Sequence, residues 1–326
     1  MDHTTKTELE NHIKNEMPCC DEPKSIPEIP AGQPKKDRFL GACIVIAAII
    51  VGGVWIYTSQ LKNINPEIAN AKTVAELEKT IIPERGVTLP IVWGDLGKQM
   101  IDNGVIDLQK FESLYSQRGG LDEASKNLLR GINNGRLVIT KENSGVLLNL
   151  LWTLGLGNKN EILEKGEMTD KRYGGKADNF ASTGGWSLAV GNPMNHYSKH
   201  SMIRLTPEQQ SLVDEVSKNI YRPCCGNSTH FPDCNHGMAM LGLLELMASQ
   251  GVSETDMYKA ALAVNSYWFP DTYLTIAQYL KTKGMAWKDV SPKAILAAEY
   301  SSASGYQQIL KQVQPVQRNS GGSCGA

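Results

Sequence analysis

Three cysteines and four histidines set the chemistry open to this chain. Cys224, Cys225 and Cys234 fall in one run, RPCCGNSTHFPDCNHGMAM. Close by lie His196, His200, His230 and His236, together with Met194, Met202, Met238 and Met240. Thiolate, imidazole and thioether donors suit a soft or borderline ion, Cu(I) or Zn(II), and suit Mg or Ca poorly. Cys224, Cys225, Cys234 and His236 would supply four ligands, enough for tetrahedral zinc, with His230 and Met238 as auxiliary donors. The spacing departs from the familiar zinc pattern, because neighbouring cysteines do not easily both reach one ion from a relaxed backbone. Two other outcomes suit the same residues. One is a structural disulfide such as Cys225 to Cys234 in an oxidising compartment. The other is a redox-active thiol at Cys234 or at the vicinal pair.

Such a site needs an element to hold it. Cys234 precedes, and His236 opens, a helix expected from about His236 to Ser249, with Asn235 as its cap. The positive end of the helix dipole there favours anionic sulfur. Gly226 and Pro232 favour a turn that brings Cys224 and Cys225 back toward Cys234. His196 and His200 stand four apart in HYSKH. A helix would place both rings on one face, and the same holds for His236 and Met240. Asp233 could orient a histidine, although a plain loop carboxylate is the simpler reading. Met240 and Met247 read as core packing.

The surrounding elements read as mainly α. Thr73-Val74-Ala75-Glu76 has the form of a capping box, Asp107 can cap the stretch through Tyr115, and Leu121 to Arg130 stops at Gly131. Ser144 to Leu156 (SGVLLNLLWTLGL) is apolar nearly all round and is the candidate central helix. Residues 157–205 carry Gly-Gly pairs and few periodic apolar positions, which predicts a long ordered loop region. Thr206-Pro207 opens a helix to about Tyr221. Three further helices are expected at Ser253 to Val264, Asp271 to Lys283 and Ser291 to Ser301. The expected fold is a compact all-helical domain with long ordered loops.

Ahead of it, FLGACIVIAAIIVGGVWIY at 39–57 carries no charge and is long enough to span a bilayer. Lys35, Lys36 and Arg38 precede it, and Trp55 and Tyr57 close it. The positive-inside bias places the N-terminus in the cytoplasm and the rest of the chain outside it. A cleaved signal peptide is the competing reading. It is disfavoured by the length of the preceding segment and by the lack of a small-x-small site after the run. The expected organisation is a disordered cytoplasmic tail at 1–38, a transmembrane helix at 39–57, an extracytoplasmic domain at 62–314 and a flexible tail at 315–326. Partners would be the lipid bilayer and a metal ion. With 326 residues and a formal charge of -1, the chain has no basic balance for broad nucleic-acid binding. H-E-x-x-H, P-loop and C-x-x-C-H patterns are all missing from the sequence.

The stretches STGGW at 182–186, NIYRPCCGNS at 219–228 and PDCNHGMAMLG at 232–242 resemble a group of uncharacterised bacterial membrane-anchored proteins. That resemblance implies a bacterial envelope setting and no particular activity. The segment is also distantly similar to exported motifs of the P-C-Y-C-G-C type, from which its spacing differs, so no residue role carries over. The expectation is therefore a membrane-anchored extracytoplasmic metal-binding protein, in metal trafficking, sensing or tolerance. The alternatives are a thiol-disulfide oxidoreductase or metal-dependent hydrolase, and an interaction module with a structural disulfide.

Overall fold

The computed structural model describes residues 66–316, with side chains from Thr73 onward. The tail at 1–38, the apolar run at 39–57, Cys19, Cys20, Cys43 and Cys324 lie outside the described residues. Among the described residues, no helix is long and apolar enough to cross a membrane.

Helices dominate, but the domain is not all-helical. After α1 (Pro66–Ile81), β1 (Val87–Gly94) pairs antiparallel with β2 (Asn134–Ile139). Leu89, Ile91 and Trp93 of β1 alternate into the core, as a half-buried strand requires. Pro90 has no N–H for the ladder, and the register slips between Thr88 and Val92 around it. Thr73 to Glu76 fall inside α1, which begins seven residues before the expected cap, at Pro66.

Between the strands run α2 (Leu96–Asp102), α3 (Leu108–Ser116) and α4 (Glu123–Arg130). The Asp107 carboxylate accepts from the Gln109 and Lys110 N–H groups, and Asp122 accepts from Ser125 N–H. Each cap satisfies donors that the first turn leaves free.

The centre is a pair of helices, α5 (Ser144–Gly157) and α8 (Asn235–Ser249). Both are buried along nearly their whole length. Leu147, Leu150, Leu151 and Leu154 of α5 have no exposed surface, and each such side chain stabilises by about 1.5–3 kcal/mol. The helices touch backbone to backbone where Gly155 meets Gly242. A Cβ on Gly155 would lie 2.1 Å from the Met238 carbonyl, and one on Gly242 would lie 2.5 Å from that of Leu151.

Between them, α6 (Glu161–Lys165) and four short 3-10 turns form the ordered loop expected at 157–205, followed by α7 (Pro207–Lys218) with its Thr206/Gln209 capping box. After α8 come α9 (Glu254–Trp268) and α10 (Pro270–Thr282). The helix expected at Ser291 to Ser301 breaks into α11 (Pro292–Leu296) and α12 (Ala298–Ser301), and α13 (Ala303–Leu310) follows. The chain stays packed beyond the expected start of the tail: Val316 is buried and its N–H donates to Thr275 Oγ1.

Candidate metal centre

The loop from Arg222 to Asp233 joins α7 to α8, and a buried cation organises it. Tyr221 and Ser228 form an isolated antiparallel bridge, and Thr229 N–H donates back to the Ile220 carbonyl. Inside the loop, Arg222 is 1% exposed. Its Nε donates to Cys234 Sγ at 3.0 Å, its Nη1 to the Asn227 carbonyl at 3.1 Å, and its Nη2 to the Phe231 carbonyl at 3.0 Å and to Asp233 Oδ1 at 2.6 Å. Asn227 Nδ2 holds the other Asp233 oxygen at 2.8 Å. The guanidinium lies over Gly237, where a Cβ would sit 2.5 Å from Cζ. Only glycine leaves room for it there.

Cys234, not Asn235, is the cap of α8. Its Sγ accepts from Gly237 N–H at 3.4 Å. The Cys224 and Cys234 sulfurs are 3.6 Å apart. A disulfide would need about 2.05 Å, whereas two thiolates on one zinc at about 2.3 Å each stand roughly 3.8 Å apart in a tetrahedron. Ligand atoms of Cys224, Cys234 and His236 all lie within 4.8 Å of one another, and so do those of Cys225, Asp233 and Cys234. The adjacent cysteines thus enter two overlapping groups that share Cys234. This Cys/His cluster could hold a metal ion.

His236 fits that use. Its ring is buried against Phe269 and Trp268, with centroids 4.4 and 5.6 Å away, and its Nδ1 is buried without a hydrogen-bond partner. A buried polar atom left unpaired costs about 1–3 kcal/mol unless something binds it. Sulfur on the near side is reachable from solvent, since Cys224 is exposed and Cys225 and Cys234 are partly so.

The electrostatics localise one thiolate. Hydrogen bonds from Cys224 and then Cys225 hold Cys234 far below the ordinary thiol value, and His236 and the Arg222 guanidinium add to this against the cost of burial. Cys224 is pushed well up by its bonds to Cys225 and Cys234 and by burial. For Cys225, the bond to Cys224 pulls down, but bonding to Cys234 and burial carry it up to about 11. Burial opposes the charge on Arg222, and the two sulfurs Cys234 and Cys225 more than offset it.

The two auxiliary donors are not gathered with the sulfurs. His230 belongs to neither ligand group: its Nδ1 meets Glu167 Oε2 and its Nε2 meets Asp214 Oδ1, each at 2.7 Å. With both nitrogens taken, it offers no free ligand atom, and it lines a cleft of about 910 Å³ with Asp214, Glu164 and Arg204. Met238 is fully buried in the core, in the turn of α8 that meets α5.

His196 and His200 do come together, but through a tight turn beyond the 3-10 segment Pro193–Asn195 and not on a helix. Burial, then the neighbouring His196 and Lys199, lowers the His200 value. Sequence reasoning missed two organising side chains, the Arg222 guanidinium and the fully buried Glu245 carboxyl. Among known proteins, no family model, no curated protein and no solved structure matches this chain, so its chemistry rests on its own residues.

Proposed function

We propose that this is a membrane-anchored protein whose extracytoplasmic domain binds Zn(II) or Cu(I) through Cys224, Cys234 and His236, with Cys225 as the fourth donor. The observation that carries the reading is the approach of two sulfurs to 3.6 Å beside a buried imidazole whose Nδ1 has no partner. Zinc would draw on all four donors, and Cu(I) on the thiolates with the imidazole. The apolar run at 39–57 and its flanking charges support the anchor and the orientation. Trafficking, sensing or tolerance would each use such a site on the outer face of a bacterial cytoplasmic membrane.

Metal analysis of the reduced full-length protein in detergent tests this. One tightly held equivalent of zinc or copper is expected, lost in Cys234→Ser and much weakened in His236→Ala. A metal-free protein that takes up neither ion on titration removes the proposal.

A second reading is favoured by one observation, the Cys234 sulfur that accepts from the first turn of α8 and from Arg222 Nε with Cys224 beside it. That arrangement also suits thiol-disulfide exchange. Rapid alkylation of Cys234 at mildly acidic pH, with a reversible Cys224–Cys234 disulfide and no bound metal, would favour the oxidoreductase.

A further inference from the structure

We propose a second metal-binding site, independent of the cysteines, in which His196 Nδ1 and His200 Nε2 hold one divalent transition-metal ion in adjacent coordination positions. The two nitrogens are 3.1 Å apart, and the rings lie nearly parallel at 28° with centroids 5.4 Å apart. With metal–nitrogen bonds of about 2.0–2.1 Å, that separation subtends roughly 98° at the ion. The angle falls between square and tetrahedral geometry, as Zn(II), Ni(II) and Cu(II) adopt. A linear two-coordinate Cu(I) would need the nitrogens roughly 4 Å apart and does not fit.

The remaining contacts set the His196 ring as a ligand. His196 Nε2 lies 3.0 Å from the Val190 carbonyl. A carbonyl only accepts, so Nε2 carries the proton and Nδ1 presents a lone pair, to which His200 Nε2–H donates in the metal-free chain. An ion binding there displaces that proton and leaves His200 in its Nδ1–H tautomer. A ligating histidine in proteins fixes its other ring nitrogen on a carbonyl or carboxylate in this way. His196 is also backed by Gly104, where a Cβ would lie 3.3 Å from Cε1.

The backbone is held before any ion arrives. Ser198 sits at a φ of 50°, a left-handed conformation that non-glycine residues rarely adopt. It turns the chain so that the two rings face each other. Ser198 N–H donates to the Leu156 carbonyl, the Lys199 and His200 N–H groups to that of Gly157, and Lys159 N–H to that of His200. Ser198 Oγ accepts from Asn160 N–H at 3.0 Å. The pair is therefore fastened to the end of α5. Asn158, whose backbone pairs with His200, reaches Glu245, about 13 Å along α8 from His236. One ion cannot serve both places. With two protein ligands and both rings partly exposed, the other coordination positions are open to water or to an incoming donor.

Equilibrium dialysis of the full-length protein against Zn(II), alone and in variants, tests the site. The wild type should bind two equivalents, and His200→Gln and His196→Gln one each. Cys234→Ser should also bind one, and Cys234→Ser with His200→Gln none, all with unchanged helical circular dichroism. A second measurement needs no variant: zinc should protect His196 and His200 from diethylpyrocarbonate, read by mass spectrometry of their peptide. Unchanged stoichiometry in both histidine variants, or labelling of the pair indifferent to zinc, overturns the second site. Loss of binding in Cys234→Ser alone bears only on the cysteine centre.

Discussion

Two buried ionisable side chains each hold a loop in place, and they do so by different means. Arg222 gathers the 222–233 loop with counter-charges around it, the Asp233 carboxylate and the Cys234 sulfur. Glu245 gathers the 158–203 segment with dipoles alone. Asn158 Nδ2 donates to one carboxylate oxygen at 2.8 Å and Asn160 Nδ2 to the other at 2.6 Å. Asn158 Oδ1 in turn accepts from Ile203 N–H, and Asn160 Oδ1 from Ile162 N–H and Gln210 Nε2. A paired guanidinium keeps its charge across the working pH range. Among the described residues no cation stands beside Glu245, and burial pushes it from 4.5 up to about 8 against the pull of the two amides. The cysteine loop should therefore respond to metal and oxidants, and the 158–203 segment to pH.

The largest effect that would break this contrast is expected from Arg222→Met. Removing the guanidinium leaves Asp233 and the thiolate without their partner, at a cost of about 3–5 kcal/mol. Urea unfolding of the full chain should show that loss together with failure to retain metal. A loss under about 1 kcal/mol would mean that the loop is held by something else.

Next comes the pH dependence of Glu245. Between about 4.5 and 8 the native carboxyl keeps a proton that the unfolded chain has released. Stability therefore falls as pH rises through that window and levels off above it, by about 5 kcal/mol at most. Glu245→Gln cannot titrate. It carries a pH-independent cost, since its amide N–H faces an asparagine donor, and the fall in stability from about pH 5 to 8 should be largely lost. An unaltered slope in that variant would assign the titration to another group.

Gly237→Ala should cost about 1–3 kcal/mol by driving a methyl group into Arg222. It also sharpens the comparison, because metal retention should weaken while the Glu245 pH slope stays as it was. The smallest effect is expected from His230→Gln, at about 1 kcal/mol. It removes two hydrogen bonds to carboxylates that are themselves partly solvated. Cysteine-bound metal should be untouched, and a loss of it would return His230 to that site.

The parts of this fold that follow local rules were readable from residues. Asp107, Ser253 and the Thr206/Gln209 box cap helices where side-chain oxygens predict them, and the apolar run of α5 is central because no face of it is polar. β1 was readable in principle from the alternation of Leu89, Ile91 and Trp93, but Pro90 interrupts it and the partner strand lies beyond three helices.

In the site, residue type drew Cys224, Cys225, Cys234 and His236 together. The cap fell to Cys234 because sulfur can accept from the first turn as an oxygen does. What organises the loops was hidden. Glu245 meets Asn158 across 87 positions, and His230 meets Glu167 across 63. No periodicity or capping rule spans such distances. The left-handed turn at Ser198 likewise follows from its bonds to Asn160 and Leu156, and nothing in HYSKH itself announces it.

The seam between Gly155 and Gly242 gives both loops a common datum. The histidine turn hangs from the end of one helix and the capping sulfur starts the other, and the two rods meet with no side chain to act as a spacer. A single methyl group inserted at that joint would tilt both instruments at once, as a shim under one shared bearing misaligns everything mounted on it.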